Sequence, residues 1–141
     1  MGNYIDKYKD WLNSDFIDAE DKKELESINN NEKEIEDRFY KDLTFGTGGI
    51  RGVRGIGTNR INKYVIRKAT QGLANYMLSV NKNEAIEKGI IIAHDCRIGS
   101  VEYAMNTAMV MAGNGIKVYL YKDVRSTPEL SFGVREMKCM S

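Results

Sequence analysis

The residues with the clearest capacity for chemistry lie in one glycine-rich stretch, residues 45–60. Six of its sixteen residues are glycine, and Arg51, Arg54 and Arg60 lie among them. Glycines let the backbone approach a ligand closely and adopt positive φ, and a guanidinium offers a planar fork that suits a phosphate. Backbone amides and guanidinium groups of this stretch can therefore converge on one anion. The stretch predicts a phosphate-binding loop.

Two common nucleotide-binding motifs are absent from this loop. The sequence contains no GxxxxGK[ST], and Arg51 stands where a GxGxxG motif starting at Gly46 requires its last glycine. Both nucleotide-binding classes lose support. On composition alone, a glycine-rich hairpin with solvated arginines remains an alternative.

Charge is unevenly distributed along the 141 residues, although the net charge is only +1. Residues 15–42 hold eleven acidic against five basic residues, whereas residues 43–82 hold seven basic residues and no acidic one. The acidic block is typical of solvated helices. The basic block contains the glycine-rich loop, which favours an anionic ligand.

The elements that must position this loop begin with helices. Residues 18–28 and 32–40 are rich in Asp, Glu and Lys and are separated by three asparagines, which predicts two helices. Few apolar residues anchor them. We expect this region to wrap the outside of a core or to pack on something outside this sequence.

From Asn62 onward the pattern alternates between helices and strands. Helices are predicted from Asn62, from Ser100 as a cap to the glycines at 113–115, and from Ser126, with strands at 89–94 and 116–121. The predicted buried faces are Ile66, Ala69, Thr70, Leu73, Ala74, Met77 and Val80, then Val101, Ala104, Met105, Ala108 and Met111 or Ala112, then Leu130, Val134 and Met137. This order predicts an α/β fold with three α/β/α layers and a mostly parallel or mixed sheet.

The last predicted helix has no strand to return to. Residues 138–141 contain neither an apolar run nor a turn signal. An unreturned helix leaves an open sheet edge. We expect the chain to be a piece of a longer protein whose sheet lacks its last strand here.

Four segments in this order resemble the α-D-phosphohexomutases, particularly the phosphoglucomutase, phosphomannomutase and phosphopentomutase branch. They are Leu43-Thr44-Phe45-Gly46-Thr47-Gly48-Gly49-Ile50-Arg51-Gly52 with the following Gly55, Gly57, Asn59-Arg60 and Asn62, then Ala93-His94-Asp95-Cys96-Arg97, then residues 115–120, then Ser126-Thr127-Pro128-Glu129-Leu130-Ser131-Phe132. The resemblance spans about residues 39–138. It implies an N-terminal helical extension at 1–42, followed at 43–141 by an incomplete first α/β domain.

The resemblance implies the N-terminal part of an enzyme of carbohydrate metabolism that interconverts hexose 1-phosphate and 6-phosphate. In that family the reaction runs through a phosphoserine and a bound hexose 1,6-bisphosphate, with Mg²⁺. We expect both cofactors and the sugar phosphate in the full-length parent, and none bound by this fragment. Positioned cations stabilise a transferring phosphoryl group, so an arginine on a glycine loop suits this chemistry.

Residue roles follow from the resemblance alone. Arg51 matches the family arginine that contacts the phosphate at the active serine, and Thr47 and Gly48 would shape its loop. Asp95 and Arg97 would have an orienting role at the end of a strand. The family's nucleophile lies in a Thr-Ala-Ser-His-Asn-Pro motif, which this sequence does not contain; Ser141 lacks its neighbours. We expect no metal site and no activity in the fragment alone.

His94 is the single histidine, and after an apolar strand it is more typical of a packed group than of a base. An alternative to the enzyme is a non-enzymatic phosphate- or nucleic-acid-binding or interaction domain that uses the basic loop, with Tyr64 and Tyr76 as stacking platforms. We expect that the protein has no nucleic-acid partner.

No apolar run approaches the ~20 residues of a membrane span, so we expect no membrane partner. Cys96 and Cys139 lack CxxC spacing and fit a reducing compartment, which favours the cytoplasm. The open sheet edge or an apolar patch predicts a homodimer of the fragment.

Overall fold

The computed structural model describes residues 3–141, in which six helices and four short strands follow one another. They are α1 (Tyr4–Asn13), α2 (Ala19–Ser27), α3 (Glu32–Phe39), β1 (Phe45–Gly46), β2 (Gly49–Ile50), α4 (Lys63–Lys88), β3 (Ile90–Ile92), α5 (Ser100–Gly113), β4 (Val118–Leu120) and α6 (Thr127–Glu136). Contacts divide the chain into two compact units, Met1–Val65 and Ile66–Ser141. This division differs from the predicted one at residue 42, which stays a prediction. Within the described part, no helix is long and apolar enough to cross a membrane.

The first unit has a hydrophobic core of its own. Its buried members are Tyr8, Leu25, Ile28, Ile35, Phe39 and Ile56. The fully buried Phe39 ring makes edge contacts with Tyr8 and Trp11, each at 5.7 Å between centroids. The few apolar residues of this region are enough to form a core, because large aromatic rings each bury a large apolar surface.

The buried side chain of Asn62 joins the glycine-rich segment to α4. Its Oδ1 accepts from the backbone N–H of Val65, which confirms the predicted helix start. Its Nδ2 donates to the carbonyls of Gly55 and Gly57, at 2.9 Å each. One amide thus caps a helix and closes a loop. The long helix α4 is interrupted at Asn81, where φ is −156° and ψ is 95°.

The second unit has three layers. Strands β3 and β4 are parallel, with Ile90 opposite Val118. Ile90 packs in a buried cluster with residues of α4 and α5, including Ala74 and Met111. Ile91 points to the other face, since a Cβ built on Gly133 of α6 would lie 2.9 Å from its Cδ1. The predicted α/β/α fold is confirmed.

The predicted helix faces are only partly correct. Leu73 and Val80 of α4 and Val101 and Met105 of α5 are exposed at 41%, 58%, 62% and 48%. Strands lie about 5 Å apart, so two of them are roughly as wide as one helix and cannot cover two predicted faces. Between α4 and α5 the contacts are partly polar: Arg67 donates to Asn106, Thr70 to Thr107, and Gln71 and Asn114 donate to each other.

The chain end also differs from the sequence-based expectation. Although residues 138–141 show no strand pattern, the N–H of Met140 donates to the carbonyl of Gly89, and that of Ile91 donates to Ser141. These residues lie against the edge of β3. Self-association through a sheet edge or an apolar patch stays a prediction.

The backbone at Gly89, just before β3, approaches that of Lys117, just before β4, so closely that Gly89→Ala should destabilise the fold strongly. Gly89 has φ +67°, and a Cβ would lie 2.1 Å from the Lys117 carbonyl oxygen. Strain and overpacking together should lower the free energy of unfolding by more than about 2 kcal/mol. Gly72→Ala is the control: this helical glycine has nothing within 4 Å of its built Cβ. It should stabilise by about 0.5–1 kcal/mol. Urea unfolding measures the free energy of unfolding of both variants. Equal changes in the two variants would contradict the close approach of the backbone at Gly89 to Lys117.

Candidate phosphate-binding site

The glycine-rich segment begins with a tight hairpin. Strands β1 and β2 are antiparallel, with Phe45 opposite Ile50 and Gly46 opposite Gly49. Thr47 and Gly48 form the two-residue tip, and Gly49 has φ +100°, a conformation that side chains rarely adopt. The tip therefore depends on glycine, and β2 leads directly to Arg51.

The Arg51 guanidinium lies beside the hairpin tip. A Cβ built on Gly48 would stand 3.0 Å from Nη2 of Arg51, so a larger residue at this position would push the guanidinium aside by a few tenths of an ångström. Arg51 is exposed, and within residues 3–141 it forms no hydrogen bond or ion pair. Its donors can therefore all reach a ligand. The structure brings Thr47, Gly48 and Arg51 together at the tip.

The three arginines of the segment do not converge on one anion. Arg60 is 6% exposed; it forms an ion pair with Asp37 and lies 3.6 Å from Glu34. The prediction that Arg60 joins an anion site is wrong, because the acids of α3 hold its guanidinium inside the unit. Arg54 is exposed, and its backbone bridges to Ile61.

A second ion pair, between the largely buried Arg38 and the partly exposed Glu24, holds the base of the loop. Nη1 of Arg38 lies 2.5 Å from Oε1 of Glu24 and donates to the carbonyl of Ile56 at 3.1 Å. The same Glu24 oxygen accepts from the N–H of Ile56 at 3.2 Å. Burial lowers the pKa of Arg38, but the hydrogen bonds that its guanidinium donates to Glu34 and Glu24 outweigh this effect, and the pKa is raised. The sequence analysis singled out neither Glu24 nor Arg38; the i,i+4 spacing was a signal for the Arg38–Glu34 pair, which the structure forms at 2.8 Å, but not for Glu24.

Other basic-block residues also bind acids of the first unit. Lys63 forms ion pairs with Asp18 at 2.5 Å and Asp21 at 2.8 Å. Burial lowers its pKa, yet the hydrogen bonds to these two carboxylates raise it above its ordinary value. Tyr64 donates to Asp21, and its ring packs edge-on against Trp11. Lys63 and Tyr64 are thus engaged within the first unit, whereas Tyr76, the other stacking residue of the nucleic-acid alternative, is exposed; that alternative is not tested.

Asp95 and Arg97 lie in the second unit, on the loop that leaves β3. The Asp95 carboxylate accepts from the Ser100 hydroxyl at 2.5 Å, from the Arg97 N–H at 3.0 Å and from Arg97 Nε at 2.6 Å. Arg97 is 85% exposed, so its terminal nitrogens point to solvent. The structure brings these two residues together, and Asp95 holds the Arg97 fork.

Hydrogen bonds to its charged form shift the titration of Asp95. The Ser100 hydroxyl, then the Arg97 backbone N–H, lower its pKa to about 2. The predicted role of Ser100 as the helix cap is wrong: Gly99, at φ +88°, occupies the cap, and Ser100 turns its hydroxyl to Asp95. His94 packs beside them, with Nδ1 3.3 Å from the Asp95 carbonyl oxygen.

Residues 3–141 contain no group of three acidic, histidine or cysteine side chains that could hold a metal ion. Mg²⁺ prefers several oxygen ligands in an octahedral arrangement. The described residues do not fit such a site.

Comparison with known proteins shows what the chain is similar to. The model of the phosphoglucomutase/phosphomannomutase alpha/beta/alpha domain I matches residues 42–141. The phosphoglucomutase of Staphylococcus aureus (strain bovine RF122 / ET3-1) is 44% identical over 104 residues, 74% of this chain and 18% of that protein. That of Staphylococcus haemolyticus (strain JCSC1435) is 40% identical over 103 residues, 73% of this chain and 18% of that protein. The chain thus spans less than a fifth of the length of these relatives. No solved structure matches.

The Asp95 contacts predict a pH effect. The folded pKa of about 2 lies below the ordinary 3.8, so this carboxylate stabilises the fold above pH 3.8. That contribution is lost as the pH falls toward 2. Ser100→Ala should raise the pKa toward 3.8, whereas Ser100→Thr, which keeps the hydroxyl, should leave it low. Carboxyl carbon NMR titration measures it. A low pKa in Ser100→Ala would contradict the role of this hydroxyl.

Proposed function

We infer that this chain, which belongs to the phosphoglucomutase/phosphomannomutase family and carries its α/β/α domain I, supplies a phosphate-binding arginine to a phosphohexomutase. The arginine is Arg51. The proposal takes the chain as the N-terminal part of an intramolecular phosphotransferase. That enzyme interconverts hexose 1-phosphate and 6-phosphate through a phosphoserine and a 1,6-bisphosphate.

One observation carries this proposal: the exposed Arg51 guanidinium beside a hairpin tip of small residues. It has no acidic partner within the described residues, unlike Arg38 and Arg60 of the same unit. Arg54 of the same loop is also exposed, but it is Arg51 whose guanidinium lies beside Gly48 of the tip, where an anionic ligand can also meet backbone amides. Two parallel N–H groups of a guanidinium match two oxygens of a phosphoryl group, which a point-charge ammonium cannot do.

The residues of this chain would divide the work as follows. Arg51 donates to the phosphoryl oxygens and offsets their charge, which is the main contribution a protein makes to phosphoryl transfer. Thr47 and Gly48 shape the tip on which it lies. Asp95 orients Arg97 at the carboxyl end of β3, where ligands gather in open α/β sheets.

The chemical step itself needs groups that these 141 residues do not include. The family's nucleophilic serine motif is absent from the sequence, and the described residues offer no Mg²⁺ site. The proposal is therefore that this chain alone binds a phosphate without turning over a sugar phosphate. A coupled mutase assay with Mg²⁺ and hexose 1,6-bisphosphate should show no turnover.

Substitution of Arg51 tests the assignment. In the 141-residue chain, Arg51→Ala should weaken binding of glucose 1-phosphate by about 10- to 100-fold, since a charged hydrogen bond contributes about 1.5–3 kcal/mol. Arg51→Lys should recover little, because it lacks the planar fork. Arg54→Ala removes an exposed arginine from the same loop and should cost about twofold through general charge. NMR titration measures all three.

Equal losses for Arg51→Ala and Arg54→Ala would mean that the loop attracts anions by charge alone. The assignment of Arg51 to phosphate chemistry would then be wrong. Unchanged affinity in Arg51→Ala would have the same meaning. Inorganic phosphate should compete with glucose 1-phosphate, because both use the same guanidinium.

The space above Gly48 gives a second, finer test. Gly48→Ala puts a Cβ 3.0 Å from Nη2 of Arg51 and should displace the guanidinium by a few tenths of an ångström. We expect severalfold weaker phosphate binding with little loss of stability, because a flexible side chain can give way. Gly46→Ala is the matched control, since its Cβ meets only Gly49 O at an ordinary 3.5 Å. Titration and thermal unfolding of both variants measure this; equal affinities would contradict the placement.

A further inference from the structure

Helices α2 and α3 lie outside the matched family domain, which begins at residue 42, yet they hold its glycine loop. We propose that Glu24 and Arg38 are positioning residues for the phosphate site of Arg51. The inference rests on the proposed function of that site. It assigns a role in ligand binding to the N-terminal segment, for which the family match offers none.

Glu24 and Arg38 bind the backbone of Ile56 from both sides. Glu24 accepts from the Ile56 N–H at 3.2 Å, and Arg38 donates to the Ile56 carbonyl at 3.1 Å. The Ile56 side chain is buried in the core of the first unit. The Glu24–Arg38 ion pair thus provides hydrogen-bond partners for both the N–H and the carbonyl of Ile56, whose side chain is held in the core. Backbone groups outside regular structure need such partners when they are buried.

The residues after Ile56 are bonded to the backbone of α3, the helix that carries Arg38. The Asn59 N–H donates to the Arg38 carbonyl at 2.9 Å, and its side chain donates to the Asp37 carbonyl at 2.8 Å. Gly57 passes so close that a Cβ would lie 2.7 Å from the Arg38 carbonyl oxygen. Arg38 therefore touches the loop through its guanidinium and through its backbone.

The fixed region extends back toward Arg51. The Ile61 N–H donates to the Val53 carbonyl at 2.8 Å, and the Gly55 N–H donates to the Ile61 carbonyl at 3.2 Å. Gly52 packs against Leu43, with 3.0 Å from a built Cβ to Cδ1. Contacts thus support the backbone at 52, 53, 55 and 56.

Arg51 itself has no side-chain partner among the described residues, so its position depends on this backbone support. A supported loop pays less ordering entropy when it binds a ligand. Supporting groups at metal sites typically change affinity by 10- to 100-fold when they are removed. Loss of the Glu24 contact should therefore weaken phosphate binding without any loss of charge at the site.

The test titrates the 141-residue chain with inorganic phosphate, observed by NMR of the backbone amides of residues 46–52, which every variant retains. Glu24→Ala should weaken binding about tenfold and accelerate hydrogen exchange of the Ile56 amide. Glu24→Gln keeps an oxygen that can accept from Ile56 and Arg38, and should restore most of the affinity. Removing a negative charge from the first unit would by electrostatics alone strengthen phosphate binding, so the expected sign separates positioning from charge.

Tyr8→Phe controls for stability. It removes the buried hydrogen bond from the Tyr8 hydroxyl to the Leu25 carbonyl, in the core that Tyr8 shares with Ile56, and leaves the hydrogen bonds of Glu24 and Arg38 to Ile56 in place. It should lower stability and leave phosphate affinity within about twofold. All titrations are made at a temperature where each variant is folded by circular dichroism.

The outcomes separate this inference from the proposed function. If Arg51→Ala weakens binding but Glu24→Ala does not, the positioning role is overturned and the phosphate site stands. If Tyr8→Phe weakens binding as much as Glu24→Ala, affinity follows global stability and the positioning role is also overturned. If Arg51→Ala leaves binding unchanged, both proposals fall.

Discussion

The glycine loop depends on one physical constraint: its backbone polar groups lack the regular partners of a helix or sheet. Gly55 and Gly57 adopt φ of +151° and +141°, so regular pairing is interrupted there. Buried peptide groups must still be hydrogen-bonded. Side chains of Asn62, Glu24 and Arg38 supply these bonds. The first unit is therefore organised around side chains that support a loop.

This constraint separates the arginines of the first unit into two kinds. Arg38 and Arg60 are largely buried and paired with acids of α2 and α3. Breaking such a pair leaves an uncompensated charge, which makes both groups structural. Arg51 is exposed and unpaired among the described residues, so its charge remains for a ligand. The acidic helices thus engage Arg38 and Arg60, which support the loop, and leave Arg51 at its tip and Arg54 exposed.

The second unit uses the same principle at smaller scale. Asp95 accepts three hydrogen bonds at the end of β3, and its low pKa reflects them. The bond to Nε fixes the direction of the Arg97 side chain. An exposed pair of this kind contributes little to stability. Its effect is orientation, which accords with a role for Arg97 toward a ligand.

The sequence by itself determined the α/β/α order, because hydrophobic periodicity and helix start and stop residues are local signals. The Ser126 cap with Pro128 and the stop at 113–115 were likewise readable and are confirmed. Only the tertiary structure decided which charges meet. The sequence spacing of Asp37 and Arg60 does not predict their ion pair, and that of Glu24 and Ile56 does not predict their hydrogen bond. Burial likewise depended on neighbours: Leu73 and Val101 fit apolar helix faces, yet they are exposed because a narrow sheet does not reach them.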